Sequence, residues 1–530
     1  MELVIISIAL ILITAFLRRL RKLNAGNAAQ LRRSSGKQVP GPWNLPVVGG
    51  IHRLLGPRPP HHYLRLLSLS FGPIMRLKLG EINAVIISSS EGAREIMKTH
   101  DVAFASRPTN ATTDKLLYGS NDIIFGRQGD FWHQMRRICT LELLSSKRVR
   151  SFRAIREEEV SNLIRYIAAA AGDVVDLSSK FAEVANDITA RAVIGGKCSN
   201  QRLFLSALHD AVVLASGLAN VFNLFPSLPG FVGRIAGFQQ KAERCHQKLD
   251  GIAEKILEEH RRKRRSCGDF VQKVSLPNHD IYDTRDDILD VLLRIQQDGG
   301  LRFPLTTDHI KAVVNDMLMA GSETSATTLE WAMSELVRHP EAMSKAQREV
   351  EVLLLDANWK TKLIIDEDIL THEKLSYLRM VIKETFRLHP PVPLLLPREN
   401  QERCEVMGYD IPAKTTVMVN AWAIGRDPAY WEEPEAFRPE RFERSGRDFK
   451  GADFEFIPFG SGRRICPGIH FGLAIVEMVM ANLLYYFDWE RVGGTEEGEE
   501  LDMAETFGLA AKRKTPLCLL ARPRIPFHAE

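Results

Sequence analysis

The sequence predicts a mainly α chain with small β-sheets, folded as one large domain behind an N-terminal membrane anchor. An apolar period of helical spacing runs from Thr307 to Val337, carried by Ile310, Val313, Val314, Met317, Leu318, Leu329, Ala332 and Leu336. At about 1.5 Å per residue such a helix is roughly 45 Å long, enough to cross a whole domain. Strand-like patterning is confined to short runs, such as Ile74 to Leu79 and Ala84 to Ser88, which flank Gly80-Glu81 as a hairpin. The 530 residues exceed the usual size of one hydrophobic core, yet no linker interrupts the chain after residue 60.

The anchor comes first in the chain. Leu3 to Leu17 is apolar apart from Ser7 and Thr14, and Arg18, Arg19, Arg21 and Lys22 follow at once. A cleaved signal peptide needs a basic n-region and a small-residue cleavage site, whereas here Glu2 precedes the run and arginines close it, so residues 1–22 read as an uncleaved signal anchor. The stretch is short for a span. The thin endoplasmic-reticulum bilayer and snorkelling of Arg18 and Arg19 make up the deficit, and the positive-inside rule places the rest of the chain in the cytosol. The sequon at Asn110-Ala111-Thr112 is then idle. Residues 23–60 form a basic, Pro-rich hinge, in which Val39-Pro40-Gly41-Pro42-Trp43-Asn44-Leu45-Pro46 is stiff and extended and holds a catalytic domain, residues 61–530, at a fixed attitude to the membrane. A net charge of +4 is too small to imply nucleic acid. The 7 cysteines are odd in number and scattered, which excludes a disulfide framework and points to a reducing compartment.

Chemistry concentrates in Phe459-Gly460-Ser461-Gly462-Arg463-Arg464-Ile465-Cys466-Pro467-Gly468. Cys466 reads as a thiolate bound to a metal. Pro467, at the first position of the helical run Ile469 to Tyr486, places the sulfur at a helix N-terminus, where the dipole favours an anion and depresses the thiol pKa. Gly460, Gly462 and Gly468 let the loop bend around a flat ligand. Arg464 is placed to meet an acidic group. Taken in register, these ten residues resemble the haem-binding loop of the cytochrome P-450 family. The resemblance implies haem b held through an axial Cys466 thiolate, with Phe459, Arg464 and Gly468 in the cofactor site.

Other stretches are similar to the family's motifs in the same order. Asp130 to Arg137 opens a helix on which Trp132 and Arg136, four apart, can converge on one carboxylate. The resemblance makes this pair a propionate clamp, although His133 and Gly126-Arg127-Gln128 depart from the usual plant pattern. Val149 to Leu257 reads as helical, broken by a loop at Phe225-Pro226-Ser227-Leu228-Pro229-Gly230, which in the family is a mobile lid. Phe222, Phe225 and Leu228 there either touch membrane or substrate or pack in the core. His260 to Arg265 reads as a solvated basic loop.

In the long helix, Asp308 caps the start, and Ala320-Gly321-Ser322-Glu323-Thr324-Ser325 is a cluster of poor helix formers, its glycine costing about 1 kcal/mol relative to alanine. Thr324 can bond back to the Ala320 carbonyl and open the helix. By resemblance this is the oxygen-activating groove, where Glu323 and Thr324 are catalytic and deliver protons. Glu384 and Arg387 share a helix face at i and i+3, and Arg441 supplies a third member of what looks like the family's structural lock. Pro391 to Pro397 forms an extended apolar wall. The resemblance assigns Val392, Leu394, Leu395 and Leu396, with Phe507 and Leu509, to the substrate pocket and Arg398 to a propionate.

The match is closest to the plant A-type microsomal group. It implies a haem-thiolate monooxygenase that inserts one oxygen atom from O2 into a small apolar plant specialised metabolite of terpenoid or alkyl phenolic type. Electrons come from NADPH through a partner, NADPH-cytochrome P-450 reductase, since the chain carries no dinucleotide fingerprint of its own. The other partners are the endoplasmic-reticulum membrane and no nucleic acid. Two alternatives stay open at this point: a haem-thiolate isomerase or dehydratase, and a non-enzymatic haem-binding sensor.

Overall fold

A computed structural model describes residues 36–109, 111–197, 206–207, 210–211, 213–214, 221–226, 238–271, 286–356, 364–370, 375–492, 501–506, 508 and 510–525. The anchor at 1–22 and the start of the hinge lie outside the described residues. In chain order the main elements begin with β1 (Lys37–Gln38), α1 (Pro60–Phe71), β2 (Ile74–Leu79), β3 (Ile82–Ile87), α2 (Asp130–Ile138), α3 (Arg153–Ala169), β4 (Val174–Asp176) and α4 (Leu177–Ile194). There follow α5 (Phe238–Val271), α6 (Ile288–Asp298), α7 (Thr307–Arg338), α8 (Pro340–Asp356), α9 (Ser376–Leu388), β5 (Arg398–Glu399), β6 (Cys404–Val406), β7 (Tyr409–Ile411) and β8 (Thr416–Val419). The last are α10 (Ile469–Tyr486), β9 (Phe487–Arg491), β10 (Glu505–Thr506), β11 (Lys512–Arg513) and β12 (Cys518–Pro523).

The hairpin forms as expected, with Ile74 opposite Ile87 and Leu79 opposite Ile82 across Gly80-Glu81. It belongs to a four-stranded sheet of order β2-β3-β8-β5. Side chains alternate between two separate cores: Ile74, Val85, Ile87, Val417 and Val419 face one, and Met75, Leu77, Leu79, Ala84, Ile86 and Met418 the other. Both faces are covered, so β3 reads as a continuous apolar run rather than an alternating one. The proline-rich segment differs from a free hinge. Lys37 and Gln38 pair in parallel with Tyr409 and Asp410, the Arg76 N–H donates to the Pro40 carbonyl at 2.6 Å, and a Cβ on Gly41 would sit 2.1 Å from the Arg76 oxygen. The described part of the hinge is therefore strapped to the edge of the sheet by close backbone approach.

Helix α7 is the axis of the helical layer and packs along α4, α10 and α9. Its cap is Thr306, not Asp308: the Thr306 hydroxyl accepts from the His309 N–H at 3.2 Å, and His309 bonds back in a capping box. The helix also stays closed through Ala320–Ser325. Thr324 Oγ1 does donate to the Ala320 carbonyl, at 2.7 Å, but Ser322, Thr327, Thr328 and Ser334 make the same i−4 bond, so the run is absorbed without interruption. A Cβ on Gly321 would lie 2.9 Å from Thr189 Cγ2, so this glycine permits the close approach of α4.

The middle third corrects two expectations. β4 interrupts the helices and pairs with β12. Residues His260 to Arg264 are not a loop but a continuation of α5, because good helix formers there find partners: His260 Nε2 bonds Asp287 at 2.8 Å and Arg264 donates to the Asp290 carbonyl at 2.9 Å. Phe225 is buried in the core with Leu77 and Leu79 and does not line the cavity beside Cys466. Leu228 lies outside the described residues. Helix α10 is apolar enough to span a membrane, with a mean hydropathy of 1.4, but most of it is buried against α7 and α8.

Candidate active site

A cavity of about 250 Å³ lies where α7 faces the Phe459–Gly468 loop. The loop is closed by its own backbone: Gly460 N–H donates to Ile457, Ile465 N–H to Gly462 and Cys466 N–H to Phe459, each at 3.0 Å. Gly462 is required twice over. Its φ is +69°, and a Cβ would fall 2.2 Å from the Met97 oxygen. A Cβ on Gly468, by contrast, would meet only Cys466 Sγ, at 3.8 Å.

Cys466 lines the cavity, but not as the first turn of a helix. α10 starts at Ile469 with Gly468 as its cap, so Pro467 stands two residues ahead of the first helical position. Nor is the free thiol depressed: burial pushes its pKa up, and the Gly468 amide and Arg136 only partly oppose this. A bound cation would supply the missing bias, since a coordinating thiol is deprotonated outright.

Four guanidiniums, those of Arg107, Arg136, Arg398 and Arg464, line the same cavity. Arg398 pairs with Asp101 at 3.1 Å and donates to the Ser461 carbonyl at 2.8 Å. Among the described residues Arg464 finds no acidic hydrogen-bond partner: it donates to the carbonyls of Ala105 (2.7 Å), Ile123 (3.3 Å) and Gly126 (2.5 Å). Arg107 likewise reaches the carbonyls of Ile124, Leu396 and Pro397, and Arg136 that of Ile465. Burial first, then mutual repulsion with Arg398 and Arg136, pulls the Arg464 pKa down to about 9. Trp132 does not converge with Arg136. Its indole N–H donates to the Ile123 carbonyl at 3.1 Å, and its ring lies under Arg464, 3.8 Å from the guanidinium carbon.

The opposite wall is α7, with Asp316, Met317, Ala320, Gly321, Thr324 and Ser325. Glu323 is not in the wall; its carboxylate pairs with Lys512 of β11 at 2.7 Å. Val392, Leu395 and Leu396 line the cavity, as expected, and Leu394 does not. The segment is a turn rather than an extended wall, closed by Leu395 N–H to the Val392 carbonyl at 3.0 Å with Leu395 at φ +48°. That turn swings Leu394 into the core with Met418 and Phe225. Phe507 and Leu509 lie outside the described residues. On the far side of the loop, Glu384 accepts from Arg387 Nε and Nη2 at 2.7 Å each and from Arg441 Nε at 2.9 Å, wholly buried with Arg387.

Sequence reasoning passed over Arg107, Lys512, Thr189 and the Asp122/Asp316 pair. Asp316 was detectable, because an acid at i−4 from Ala320 and i−8 from Thr324 stands on the apolar face of α7. Lys512 and Arg107 carry no local signal.

The residues present fit a haem. A surplus of buried guanidinium charge bonded mostly to carbonyls suits the carboxylate groups of such a ligand, the Cys466 thiol suits its metal, and the Gly468 side of the loop is open where a flat ligand would lie. Comparison with known proteins agrees with this geometry. A family model described as "Cytochrome P450" matches residues 39–517, and the chain belongs to that family. It is 48% identical to desmethyl-deoxy-podophyllotoxin synthase of Sinopodophyllum hexandrum, covering 92% of each chain. It is 43% identical to premnaspirodiene oxygenase of Hyoscyamus muticus over 98% of each, and 44% identical to costunolide synthase of Cichorium intybus over 93% of this chain and 94% of that one. Among solved structures it resembles a zebra fish cytochrome P450 with abiraterone, at 25% identity and a TM-score of 0.69, over 88% of this chain and 100% of that one. These relatives make it a plant A-type member: a haem-thiolate monooxygenase that uses haem b, O2, a small-molecule substrate and a redox partner. The isomerase and sensor alternatives give way to this class.

Proposed function

We propose that Cys466 is the axial ligand of the haem, that Arg136, Arg398 and Arg464 hold its propionates, and that the substrate is a terpenoid or phenolic specialised metabolite. The observation that carries the reading is one cavity with the Cys466 thiol and the guanidiniums on one wall and the Thr324 face of α7 on the other. Apolar side chains such as Ile123, Ile124, Met317, Val392, Leu395 and Leu396 suit an uncharged substrate. The relatives' names, desmethyl-deoxy-podophyllotoxin synthase, premnaspirodiene oxygenase and costunolide synthase, support that class.

When bound, the haem supplies dioxygen activation and transfer of one oxygen atom. The chain's own residues prepare for it. Thr324 Oγ1 donates to the Ala320 carbonyl and so keeps its lone pairs for a proton donor in the cavity. Glu323, one residue earlier, brings protons from the side of Lys512, whose half-exposed ammonium reaches solvent. Trp132 stacks against Arg464 and holds that guanidinium in place. The Glu384–Arg387–Arg441 lock keeps the loop's supporting layer rigid.

The electron donor is NADPH-cytochrome P-450 reductase, and residues 1–22 anchor the chain to the endoplasmic-reticulum membrane with the catalytic domain in the cytosol. The test is reconstitution of the full chain with that reductase, NADPH and a panel of terpenoids and phenolics under ¹⁸O2. A product carrying one labelled atom is expected; turnover without NADPH and without label would sink the reading. Deleting residues 1–22 should release the protein from the membrane pellet with haem retained.

A further inference from the structure

Away from the cavity, three histidines close on one buried carboxylate. His61 and His62 open α1, and both rings reach Glu505 of β10, with Nε2 to Oε2 separations of 2.7 and 3.3 Å. His389, just past α9, presents Nδ1 3.9 Å from the other oxygen, Oε1. Consecutive helical side chains diverge by about 100°, so two adjacent rings meeting at one oxygen is a constrained arrangement. Aromatic neighbours hold the rings in place: Trp422 stacks on His62 at 4.1 Å, and Trp331 on His389 at 4.2 Å with the planes 5° apart.

The hydrogen bonding of this cluster does not close. His389 Nε2 bonds Glu335 Oε1 at 2.6 Å, which in the neutral ring puts the proton on Nε2 and leaves a lone pair on Nδ1. His61 Nδ1, His62 Nε2 and His389 Nδ1 have no hydrogen-bond partner among the described residues. The His61 side chain is fully buried, and those of His389 and Glu505 are 9% and 8% exposed. Neither His62 Nε2 nor His389 Nδ1 closes a well-aligned hydrogen bond onto the carboxylate that both face, a hollow that costs free energy unless something positive fills it.

We infer that His61, His62, His389 and Glu505 form a structural site for a divalent cation of the zinc type. Three imidazole nitrogens and one carboxylate match the tetrahedral N/O preference of that ion. Bonds of about 2.0–2.1 Å put neighbouring tetrahedral ligand atoms roughly 3.3 Å apart. The ligand atoms of His61, His62 and Glu505 already lie within 4.8 Å of one another. Glu335, accepting from the remote nitrogen of His389, is the carboxylate–histidine pairing that fixes the tautomer of a metal ligand. The ion ties the start of α1, the segment after α9 and β10 into one unit, and β10 pairs with β11, which carries Lys512.

Haem-loaded full chain, treated with a chelator, dialysed against Zn²⁺ and washed, should hold one zinc per chain by metal mass spectrometry and melt at a higher temperature than before loading. His62→Ala, whose ring is 28% exposed and so least needed for folding, should bind zinc at least about tenfold more weakly with an unchanged haem spectrum. Glu335→Gln should weaken binding about 10- to 100-fold. Wild-type protein that takes up no stoichiometric zinc, or His62→Ala that binds it as tightly as wild type, overturns the site.

Discussion

Lys512 Nζ lies 2.7 Å from Glu323 Oε1, so the acid beside Thr324 is tied to the C-terminal hairpin rather than turned into the cavity. The pairing gives the proposed proton route an outer end. Glu323→Gln should lower kcat on the order of 10²-fold, as expected of a positioned proton carrier, with haem content unchanged. Lys512→Gln should show a smaller loss in product formed per NADPH consumed. Equal coupling in both variants and wild type would remove Glu323 from the route.

The lock makes a prediction about stability. Glu384 and Arg387 are both fully buried, so Glu384→Ala strands a guanidinium and should cost about 3–5 kcal/mol, read as a lower urea midpoint and a poor yield of holoprotein. Arg441→Ala should cost less, because Arg387 still neutralises the carboxylate at two contacts.

Two glycines of the haem loop should behave differently. Gly462→Ala meets the Met97 oxygen at 2.2 Å at a φ of +69°, adding about 1–3 kcal/mol of strain plus the clash, and should prevent folding of the loop. Gly468→Ala meets only the sulfur, at 3.8 Å, and should fold while disturbing the haem spectrum. The reverse order of severity would mean that Gly468 is the one held by the protein.

A pH dependence follows from the carboxyl pair. Burial pushes the Asp122 carboxyl up to about 6, and burial together with the Asp122 charge pushes Asp316 well above the usual carboxylate range. Acids whose folded pKa is raised bind protons more tightly in the native state, so their stabilising share is full below the unfolded value near 3.8 and is lost as pH rises through about 6. Asp122→Asn keeps the acceptor for the Phe125 N–H and should flatten this loss between pH 4 and 7 in melting curves. An unchanged pH profile would mean that the pair does not share the burden.

Much of this site was legible because its relations are local. The Glu384–Arg387 and Thr324–Ala320 contacts follow from i,i+3 and i,i+4 spacing, and the loop's glycines announce a tight bend around Cys466. What stayed hidden is non-local. Lys512 reaches Glu323, and Arg107 reaches the carbonyls of Leu396 and Pro397, across tertiary contacts that no spacing encodes. Leu394 was misplaced because apolar composition does not reveal the turn at Leu395, and the Cys466 thiol because burial outweighs a nearby helix start.

The proposed chemistry depends on Cys466 as the axial ligand, and the carbon monoxide difference spectrum of reduced Cys466→Ser tests that role most directly. A serine oxygen lacks the soft thiolate donor, so the variant should fold and lose the family's characteristic long-wavelength band. A Cys466→Ser protein that keeps the wild-type band would contradict the assignment.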